Sequence, residues 1–240
     1  MNESTDPRRH LELEGARNVR DLGGYRTGDG SPTQWRRILR ADSLHALTPA
    51  AQESLLAIGL RTVVDLRRSG ELESNPNVFA VSPEVDYHHL NMLGDDDLGI
   101  EATPEGTPRP EHMAHHYCGY LDRRQEAVSR ILRTLADAGD QAVLFHCAGG
   151  KDRTGIVAAL LLGLVGVPVQ TIAVDYGLSA HYLVKPDGTW EEYQNDQCPP
   201  KTMVLVLDHL QNAYGGVQEY MQAVGVSNDQ ISALRDRLMA

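Results

Sequence analysis

Cysteine and lysine are scarce in this sequence, and its net charge is not positive. The three cysteines, Cys118, Cys147 and Cys198, are an odd and sparse set among 240 residues. Such a set argues against a disulfide framework and predicts a cytoplasmic protein with free thiols. Lys and Arg number 22 against 33 Asp and Glu, which gives a formal net charge of −11. This acidic balance argues against general nucleic-acid binding, which needs a basic surface.

Long hydrophobic runs are also missing. The most apolar stretch, 156–169, is shorter than the roughly 18 residues that a membrane-spanning helix needs, and it contains Gly163, Gly166 and Pro168. The first ten residues, MNESTDPRRH, have no apolar core. We therefore expect neither a signal peptide nor stable membrane association.

The length and the hydrophobic content of 41% suit a single domain. We predict a flexible N-terminus over 1–12, where the sequence is polar, and one domain over 13–240. Residues 91–115 have little periodicity and include Asp95, Asp96 and Asp97. This pattern predicts a lid-like insertion, because long loops without periodicity are often functional.

Strand and helix patterns alternate through the rest of the chain. Apolar runs predict strands at 61–66 and 141–146, and the short run at Ile38 and Leu39 predicts an edge strand. Helix signals occur at 48–59, 124–138, 154–162, 168–180, 202–214 and 230–239. The order predicts an α/β fold with a short, mostly parallel sheet of about four or five strands flanked by helices. Ligands of such sheets bind at the carboxyl ends of the strands, which places the site after His146.

The ten residues 146–155, HCAGGKDRTG, join the second predicted strand to the buried helix. Ala148, Gly149 and Gly150 are small enough to let backbone N–H groups curve inward, and the helix directs its positive end at Cys147. The turn is therefore expected to form an anion cradle with a thiol at its base. A thiol in this position, with Lys151 nearby, is expected to be ionised at neutral pH.

Three further side chains of the turn suit the binding of a phosphate group. Arg153 offers a planar fork for two oxygens, Lys151 could meet a second anionic group, and Thr154 could donate its hydroxyl to the sulfur. An arginine six residues after a cysteine is weak evidence by itself, because it arises often by chance. The preceding strand, the paired glycines and the following buried helix decide in favour of a reactive Cys147 over an inert buried one.

The same residues resemble a known family, the bacterial atypical tyrosine/serine phosphatases. Besides the 146–155 turn, the segment 17–24, RNVRDLGG, is similar to the N-terminal signature of that group, and 40–43 and 65–67 follow in matching order. The resemblance implies a three-layer fold like that of the protein tyrosine phosphatases. It also implies that Cys147 attacks phosphorus to form a cysteinyl-phosphate, that Arg153 binds the phosphoryl oxygens, and that water hydrolyses the intermediate without metal or cofactor. His146, Arg20 and Asp21 are expected to support the turn from outside.

The general acid that protonates the leaving oxygen has several candidates. In the resembling group an Asp within the turn itself has been favoured, which indicates Asp152 here. The cluster Asp95 to Asp97 on the predicted lid is the second choice, although it could equally be a solvated acidic loop. Asp122 lies at about the distance along the chain that other tyrosine phosphatases use, but beside a predicted helix.

Other features favour structural roles. His112, His115 and His116 have helical spacing, but no carboxylate pattern accompanies them, so we expect surface histidines and no metal. Tyr117 either lines the pocket or packs in a helix. Cys118 and Cys198 are expected to be small buried residues, although a thiol close to Cys147 could trap it as a disulfide.

The leading functional hypothesis is a cysteine-dependent phosphomonoester hydrolase acting on phosphotyrosine or phosphoserine in proteins. An alternative is a phosphatase of a small phosphorylated metabolite, such as a nucleotide or sugar phosphate, which an enclosing lid would suit. Lys151 would tolerate a phosphoinositide, but the net charge opposes an anionic membrane surface. A non-catalytic phosphate-binding module would not require Cys147, Arg153 and Thr154 together. Sulfur transfer or arsenate reduction also uses a cradled thiolate, but those chemistries usually need a different loop or a resolving cysteine.

Overall fold

A single sheet lies at the centre of the computed structural model, which describes residues 6–184 and 189–239. Its strands are β1 (Arg20–Asp21), β2 (Ile38–Ala41), β3 (Leu60–Asp65), β4 (Asp86–His89) and β5 (Ala142–His146). The strand order is β1-β2-β5-β3-β4. All neighbouring pairs are parallel except β1 with β2, which is antiparallel. The predicted α/β class with a short, mostly parallel sheet is confirmed.

Helices cover both faces of the sheet. They are α1 (Pro49–Ala57), α2 (Ser69–Ser74), α3 (Arg109–Arg123), α4 (Gln125–Asp137), α5 (Asp152–Leu164), α6 (Val169–Gly177), α7 (Ser179–Leu183), α8 (Trp190–Gln197), α9 (Lys201–Tyr214), α10 (Val217–Ala223) and α11 (Asn228–Met239), with a 3-10 helix at Val78–Val81. Within the described ranges, no helix is both long and apolar enough to cross a bilayer.

Strand β5 divides the apolar side chains between two cores. Val143 and Phe145 belong to the larger core, which includes α4, α5 and the C-terminal helices. Leu144 belongs to the smaller core, with Leu55 of α1 and Phe79 of the 3-10 helix. Because successive side chains of a strand point to opposite faces, the sheet is the middle of three layers.

Helix α5 is apolar on all sides and follows β5 directly. Ten of its residues are buried, which is the pattern of a helix enclosed by others rather than one with a solvent face. Its counterpart on the other face, α1, begins as predicted, with the Thr48 side chain accepting from Ala51 N and Pro49 in the first turn.

Two strand predictions differ from the structure. The strand at Ile38 and Leu39 is not at the edge, because β1 pairs with its outer side at Arg20↔Arg40. Strand β4, DYHH, escaped prediction because its polar sequence lacks apolar alternation. Helix α3 begins at Arg109, within the region 91–115 that is predicted to be a lid-like insertion, and Met113 of this helix is buried.

Part of the segment predicted to be loosely held packs against the domain. Arg9 is buried, and its guanidinium donates to Asp21 O at 2.8 Å. Leu11 N donates to Val19 O at 3.0 Å, beside the bridge His10↔Arg20. These contacts join residues 9–11 to the strand edge at β1.

Candidate active site

The turn 146–155 lies at the carboxyl ends of the parallel strands, where the sequence placed it. Strand β5 ends at His146, whose carbonyl accepts from Leu66 N at 2.8 Å, just beyond the end of β3. Lys151 is the N-cap of α5, and the helix begins at Asp152. The positive end of the helix dipole therefore faces the interior of the turn.

Two side chains hold the carbonyl groups of the turn from outside. Asn18 Nδ2 donates to Gly149 O at 3.0 Å and to Gly150 O at 3.2 Å. Arg40 Nη2 donates to Gly150 O at 2.7 Å. Both side chains come from the N-terminal part of the chain, so the turn is fixed by residues more than a hundred positions away.

The carbonyl before these is held in the same way, by Ser43 N, which donates to Ala148 O at 2.9 Å. Three successive carbonyl oxygens are thus bonded on the outer side of the turn. In a trans peptide the C=O and the following N–H point in opposite directions. The N–H groups of 149–151 therefore turn inward, which is the arrangement that binds anions.

Gly150 can only be glycine in this arrangement. Its φ is +63°, in the left-handed region, and a Cβ there would lie 2.5 Å from the carbonyl of Ala41 at the end of β2. The turn consequently rests against the backbone of the sheet, with no space between them.

A buried carboxylate holds Arg40 in place. Asp175 of α6 accepts from Arg40 Nη1 at 2.5 Å and from the Tyr25 hydroxyl at 2.8 Å. Burial opposes the charge of Asp175, but Arg40 and Arg20 outweigh it, and its pKa is lowered to about 2. The charge on Asp175 is therefore kept at neutral pH and fixes the guanidinium that reaches Gly150.

The two residues expected to support the turn, Arg20 and Asp21, lie one step further away. Arg20 donates to Asp175 O at 2.9 Å and to Ser179 Oγ at 3.2 Å. Asp21 accepts from Gly23 N and Arg36 N, both at 2.9 Å. Arg20 and Arg40 both donate hydrogen bonds to Asp175 of α6, whereas Asp21 accepts bonds that shape the loop after β1.

His146 is buried and its hydrogen bonds define its tautomer. Nδ1 lies 3.1 Å from Cys147 O, which can only accept, so Nδ1 carries the proton. Nε2 lies 2.7 Å from Asn77 Nδ2 and accepts from it. Asn77 is oriented in turn, because its Oδ1 accepts from Phe79 N at 2.9 Å. The ring thus holds the backbone of Cys147 at the base of the turn.

A second buried carboxylate lies behind His146. Asp65 at the end of β3 accepts from Arg67 Nε at 2.9 Å and from the Tyr87 hydroxyl at 3.0 Å. Burial favours the neutral form of Asp65, but the hydrogen bonds and the positive charge of Arg67 outweigh it and place its pKa below the ordinary range.

Cys147 and Arg153 lie close together within the turn. Cys147 is 1% exposed. Arg153 donates from Nη1 and Nη2 to the two oxygens of Glu71, at 2.6 and 2.8 Å. Burial disfavours the charge of Arg153, but Glu71 and the neighbouring Cys147 sulfur outweigh it, so its pKa lies above the ordinary value. The guanidinium is therefore a fixed positive charge beside the thiol.

Three other residues of the turn complete the site. Thr154 is buried, and among the described residues its hydroxyl has no hydrogen-bond partner. Lys151 Nζ lies 3.4 Å from Asp152 Oδ1. Asp152 also accepts a hydrogen bond from the Tyr117 hydroxyl of α3. A buried hydroxyl without a hydrogen-bond partner destabilises the protein unless a ligand satisfies it. The Thr154 hydroxyl is therefore free to bond with a group bound in the turn.

The acidic cluster 95–97 is bound to neighbouring helices. Asp95 accepts from Ser69 N at 3.1 Å and Ser69 Oγ at 2.6 Å, at the start of α2. Asp96 pairs with Arg124 at 2.6 Å. Asp97 accepts from Gly99 N at 2.9 Å within its own loop. The first two carboxylates thus fasten the loop to the domain.

The remaining candidates lie outside the turn. His115 Nε2 contacts Glu101 O at 2.9 Å, and His112 Nδ1 contacts Thr103 Oγ1 at 2.6 Å. In the part of the chain that the structure describes, no group of three or more His, Cys, Asp or Glu is placed to hold a metal ion. Burial raises the pKa of both Cys118 and Cys198 to about 12, which keeps these thiols neutral.

Sequence reasoning missed several residues that shape the site. Asn18 and Arg40 stand within the segments that carried the family resemblance, and this position was the only signal available for them. Glu71 and Asp175 follow no pattern in the sequence, because each acts on a partner far along the chain. Tyr117 was considered, but its bond to Asp152 was not predicted.

A cysteine at the base of an inward-facing amide cradle, at the carboxyl edge of a mostly parallel sheet, defines a phosphatase-type α/β protein. The model of the tyrosine phosphatase family matches residues 11–240, so the chain belongs to that family. It is thus a phosphoric monoester hydrolase that acts on a phosphorylated substrate, and the predicted resemblance is confirmed.

Two relatives agree with this placement. A tyrosine-protein phosphatase of Nostoc commune is 32% identical over 217 residues, which cover 83% of this chain and 73% of the relative. The triple specificity protein phosphatase PtpB of Mycobacterium tuberculosis is 32% identical over 192 residues, which cover 69% of this chain and 67% of PtpB.

Proposed function

We propose that the protein hydrolyses phosphate monoesters through a cysteinyl-phosphate on Cys147. The observation that carries this proposal is the outward bonding of the carbonyl groups of 148–150, which turns the following amides toward the space above the sulfur. These amides and the guanidinium of Arg153 would bind the three non-bridging oxygens of the phosphoryl group. The amide of Lys151 is the last of the inward set, and its ammonium group would meet a further anionic group of the substrate.

In the first step the Cys147 thiolate attacks phosphorus, and the bond from phosphorus to the leaving oxygen breaks. Asp152 donates its proton to that oxygen, so the leaving group departs as a neutral alcohol or phenol. In the second step water attacks phosphorus, Asp152 takes a proton from the water, and the sulfur–phosphorus bond breaks. Thr154 would donate its hydroxyl to the sulfur as the thiolate is released. The mechanism uses no metal or cofactor.

The contacts of the acidic residues favour Asp152 as the general acid over Asp95 and Asp96. Asp152 stands within the turn, beside Cys147 and Arg153. Asp95 and Asp96 are committed to Ser69 and Arg124, which holds their carboxylates at α2 and α4. A carboxylate tied to a helix start cannot reach a leaving oxygen without losing those bonds.

For the substrate, we propose phosphotyrosine and phosphoserine in proteins, that is, dual specificity. The triple specificity named for the relative PtpB supports a broad range of phosphorylated groups. The net charge of −11 disfavours an anionic membrane surface as the place of action. The alternative of a small metabolite depended on an enclosing acidic lid, and the carboxylates of that loop are largely engaged by the domain.

The test of the chemistry is turnover of p-nitrophenyl phosphate by the purified protein, with Cys147→Ser as its matched variant. We expect turnover by the unaltered protein and a loss of about a thousandfold or more in the variant, since a hydroxyl is a far poorer nucleophile here. The variant should still bind vanadate or inorganic phosphate, because the cradle is intact. Equal turnover by both proteins would refute the cysteine mechanism.

The substrate proposal needs a separate comparison. Turnover is measured on phosphotyrosine and phosphoserine peptides, inositol phosphates, and nucleotide and sugar monophosphates. Activity on both kinds of peptide supports dual specificity. Poor activity on all peptides together with strong activity on one metabolite would overturn it.

A further inference from the structure

Two tyrosine hydroxyls form a chain that ends on Asp152. The Tyr117 hydroxyl is bonded to Asp152 Oδ1 and lies 3.0 Å from the Tyr176 hydroxyl. Tyr117 is 4% exposed and Tyr176 is 1% exposed, so both phenols are enclosed by the protein. They come from α3 and α6, and both contact the first turn of α5, Tyr117 at Asp152 and Tyr176 at Gly155.

The direction of the hydrogen bonds in this chain follows from the number of protons. An ionised carboxylate can only accept, so Tyr117 donates its single proton to Asp152. The bond between the two phenols must then be donated by Tyr176. Burial, followed by the effect of neighbouring Asp152, raises the pKa of Tyr176, and burial likewise raises that of Tyr117 well above the ordinary value. Both phenols therefore remain protonated donors throughout the neutral range.

The two oxygens of Asp152 are placed in different surroundings. Oδ1 accepts from Tyr117 and has Lys151 Nζ at 3.4 Å. Among the described residues Oδ2 has no hydrogen-bond partner, and the side chain is 41% exposed. A proton on Oδ1 would compete with the proton that Tyr117 donates, so the carboxylic acid carries its proton on Oδ2.

We propose that Tyr117, oriented by Tyr176, is a positioning residue that binds Oδ1 of Asp152 and reserves Oδ2 for proton transfer to the leaving oxygen. This inference rests on the proposed function, in which Asp152 is the general acid. By holding one oxygen, Tyr117 fixes the plane of the carboxyl group. The same bond stabilises the carboxylate that forms when the proton leaves.

Several other charged or titratable groups face Asp152, and all of them except Tyr120 are left unchanged in every variant of the test. They are Tyr120 on α3, Tyr193 on α8, Cys198 after that helix, and the adjacent Lys151 and Arg153. Tyr120 provides a matched control, because it lies on the same helix, with its ring centre 6.0 Å from that of Tyr117, but the hydrogen bond to Asp152 comes from Tyr117.

The test compares Tyr117→Phe, Tyr176→Phe and Tyr120→Phe on an alkyl phosphate and on p-nitrophenyl phosphate, across pH. For Tyr117→Phe we expect kcat on the alkyl ester to fall about tenfold and that on p-nitrophenyl phosphate to fall less than about threefold, because a good leaving group needs little protonation. The basic limb of the pH profile should move to higher pH, since the Asp152 carboxylate loses a hydrogen-bond donor. Tyr176→Phe should change kcat on the alkyl ester and the basic limb in the same directions but by less. Tyr120→Phe should change neither.

The outcomes separate this inference from the function on which it rests. In an Asp152→Asn background, Tyr117→Phe should change turnover of the alkyl ester less than about twofold, because the two act on the same proton. Suppose that Asp152→Asn lowers turnover of the alkyl ester, but Tyr117→Phe changes neither the basic limb of the pH profile nor the ratio of kcat on the two substrates. The positioning role is then wrong and the proposed function stands. If Asp152→Asn keeps full turnover, the general acid is misassigned and the inference fails with it. Equal losses on both substrates in Tyr117→Phe, without a shift of the limb, indicate a merely structural role and also overturn the inference.

Discussion

Arg153 has an unusual environment for a residue that we propose to bind phosphate, because both terminal nitrogens are bonded to Glu71. The ion pair lowers the pKa of Glu71, chiefly through the hydrogen bonds from Arg153 and against the effect of burial. Glu71 is therefore charged at neutral pH and holds the guanidinium in one orientation. A planar group held in this way can bind the oxygens of a phosphoryl group without first losing rotational freedom.

Glu71→Gln is expected to lower kcat on p-nitrophenyl phosphate about tenfold and to raise KM, because the amide cannot hold both nitrogens of Arg153. Steady-state kinetics measure both effects. Glu73→Gln, a change at an exposed residue of the same helix, should alter neither kcat nor KM. A more active Glu71→Gln protein would show instead that Glu71 competes with the substrate for Arg153.

At the scale of elements, the start of α5 is held by close packing against α6. Gly155 allows this approach, because a Cβ there would lie 2.9 Å from the Tyr176 ring. The same contact places the Tyr176 hydroxyl beside Tyr117. Helix packing and the geometry of the site are thus coupled through one glycine.

Gly155→Ala is expected to destabilise the protein by about 1–3 kcal/mol, because overpacking against a buried ring outweighs the gain in helix propensity. Urea unfolding measures the difference. Gly70→Ala in α2 is the matched control, since no atom lies within 4 Å of its added Cβ. That variant should be neutral or more stable by up to about 1 kcal/mol. Equal stability of Gly155→Ala and the unaltered protein would refute the packing argument.

Across the whole molecule, buried charges join segments that are distant in the chain. Asp175 of α6 receives Arg40 from β2, Tyr25 from the loop after β1, and the more distant Arg20 from β1. A carboxylate buried among these donors is stabilised only while it is ionised. The stability of the fold, and not only of the site, therefore depends on its charge.

The pKa of Asp175 in the folded protein is about 2, below the ordinary value of 3.8, so its contribution is present above that ordinary value. It is lost as pH falls through the folded value, and we expect about 2 kcal/mol to disappear between roughly pH 4 and 2. Urea unfolding over a pH series measures this. Asp175→Asn should be less stable by roughly 3 kcal/mol at pH 7 and should lack this part of the acid dependence. An identical acid dependence in both proteins would contradict the assignment.

The local part of the fold and site could be read from the sequence. Strand β5, the turn 146–155 and helix α5 follow one another directly, so apolar runs, small residues and helix signals identified them without knowledge of the topology. The α/β class with a mostly parallel sheet followed from the alternation of strand and helix signals, and the family resemblance implied the three-layer form. Polar strand β4 and the start of α3 were not predicted, because neither has the apolar periodicity that sequence reasoning detects.

By itself, therefore, the sequence identified the residues to which we assign the chemistry, that is, a cysteine, an arginine and an aspartate within one turn before a buried helix. Only the tertiary structure decided which groups orient them. Asn18 and Gly150 are 132 residues apart, Arg40 and Gly150 are 110 apart, and Glu71 and Arg153 are 82 apart. Such pairs meet because parallel strands bring their carboxyl ends to one edge of the sheet, and a single donor or carboxylate leaves no periodic trace along the chain.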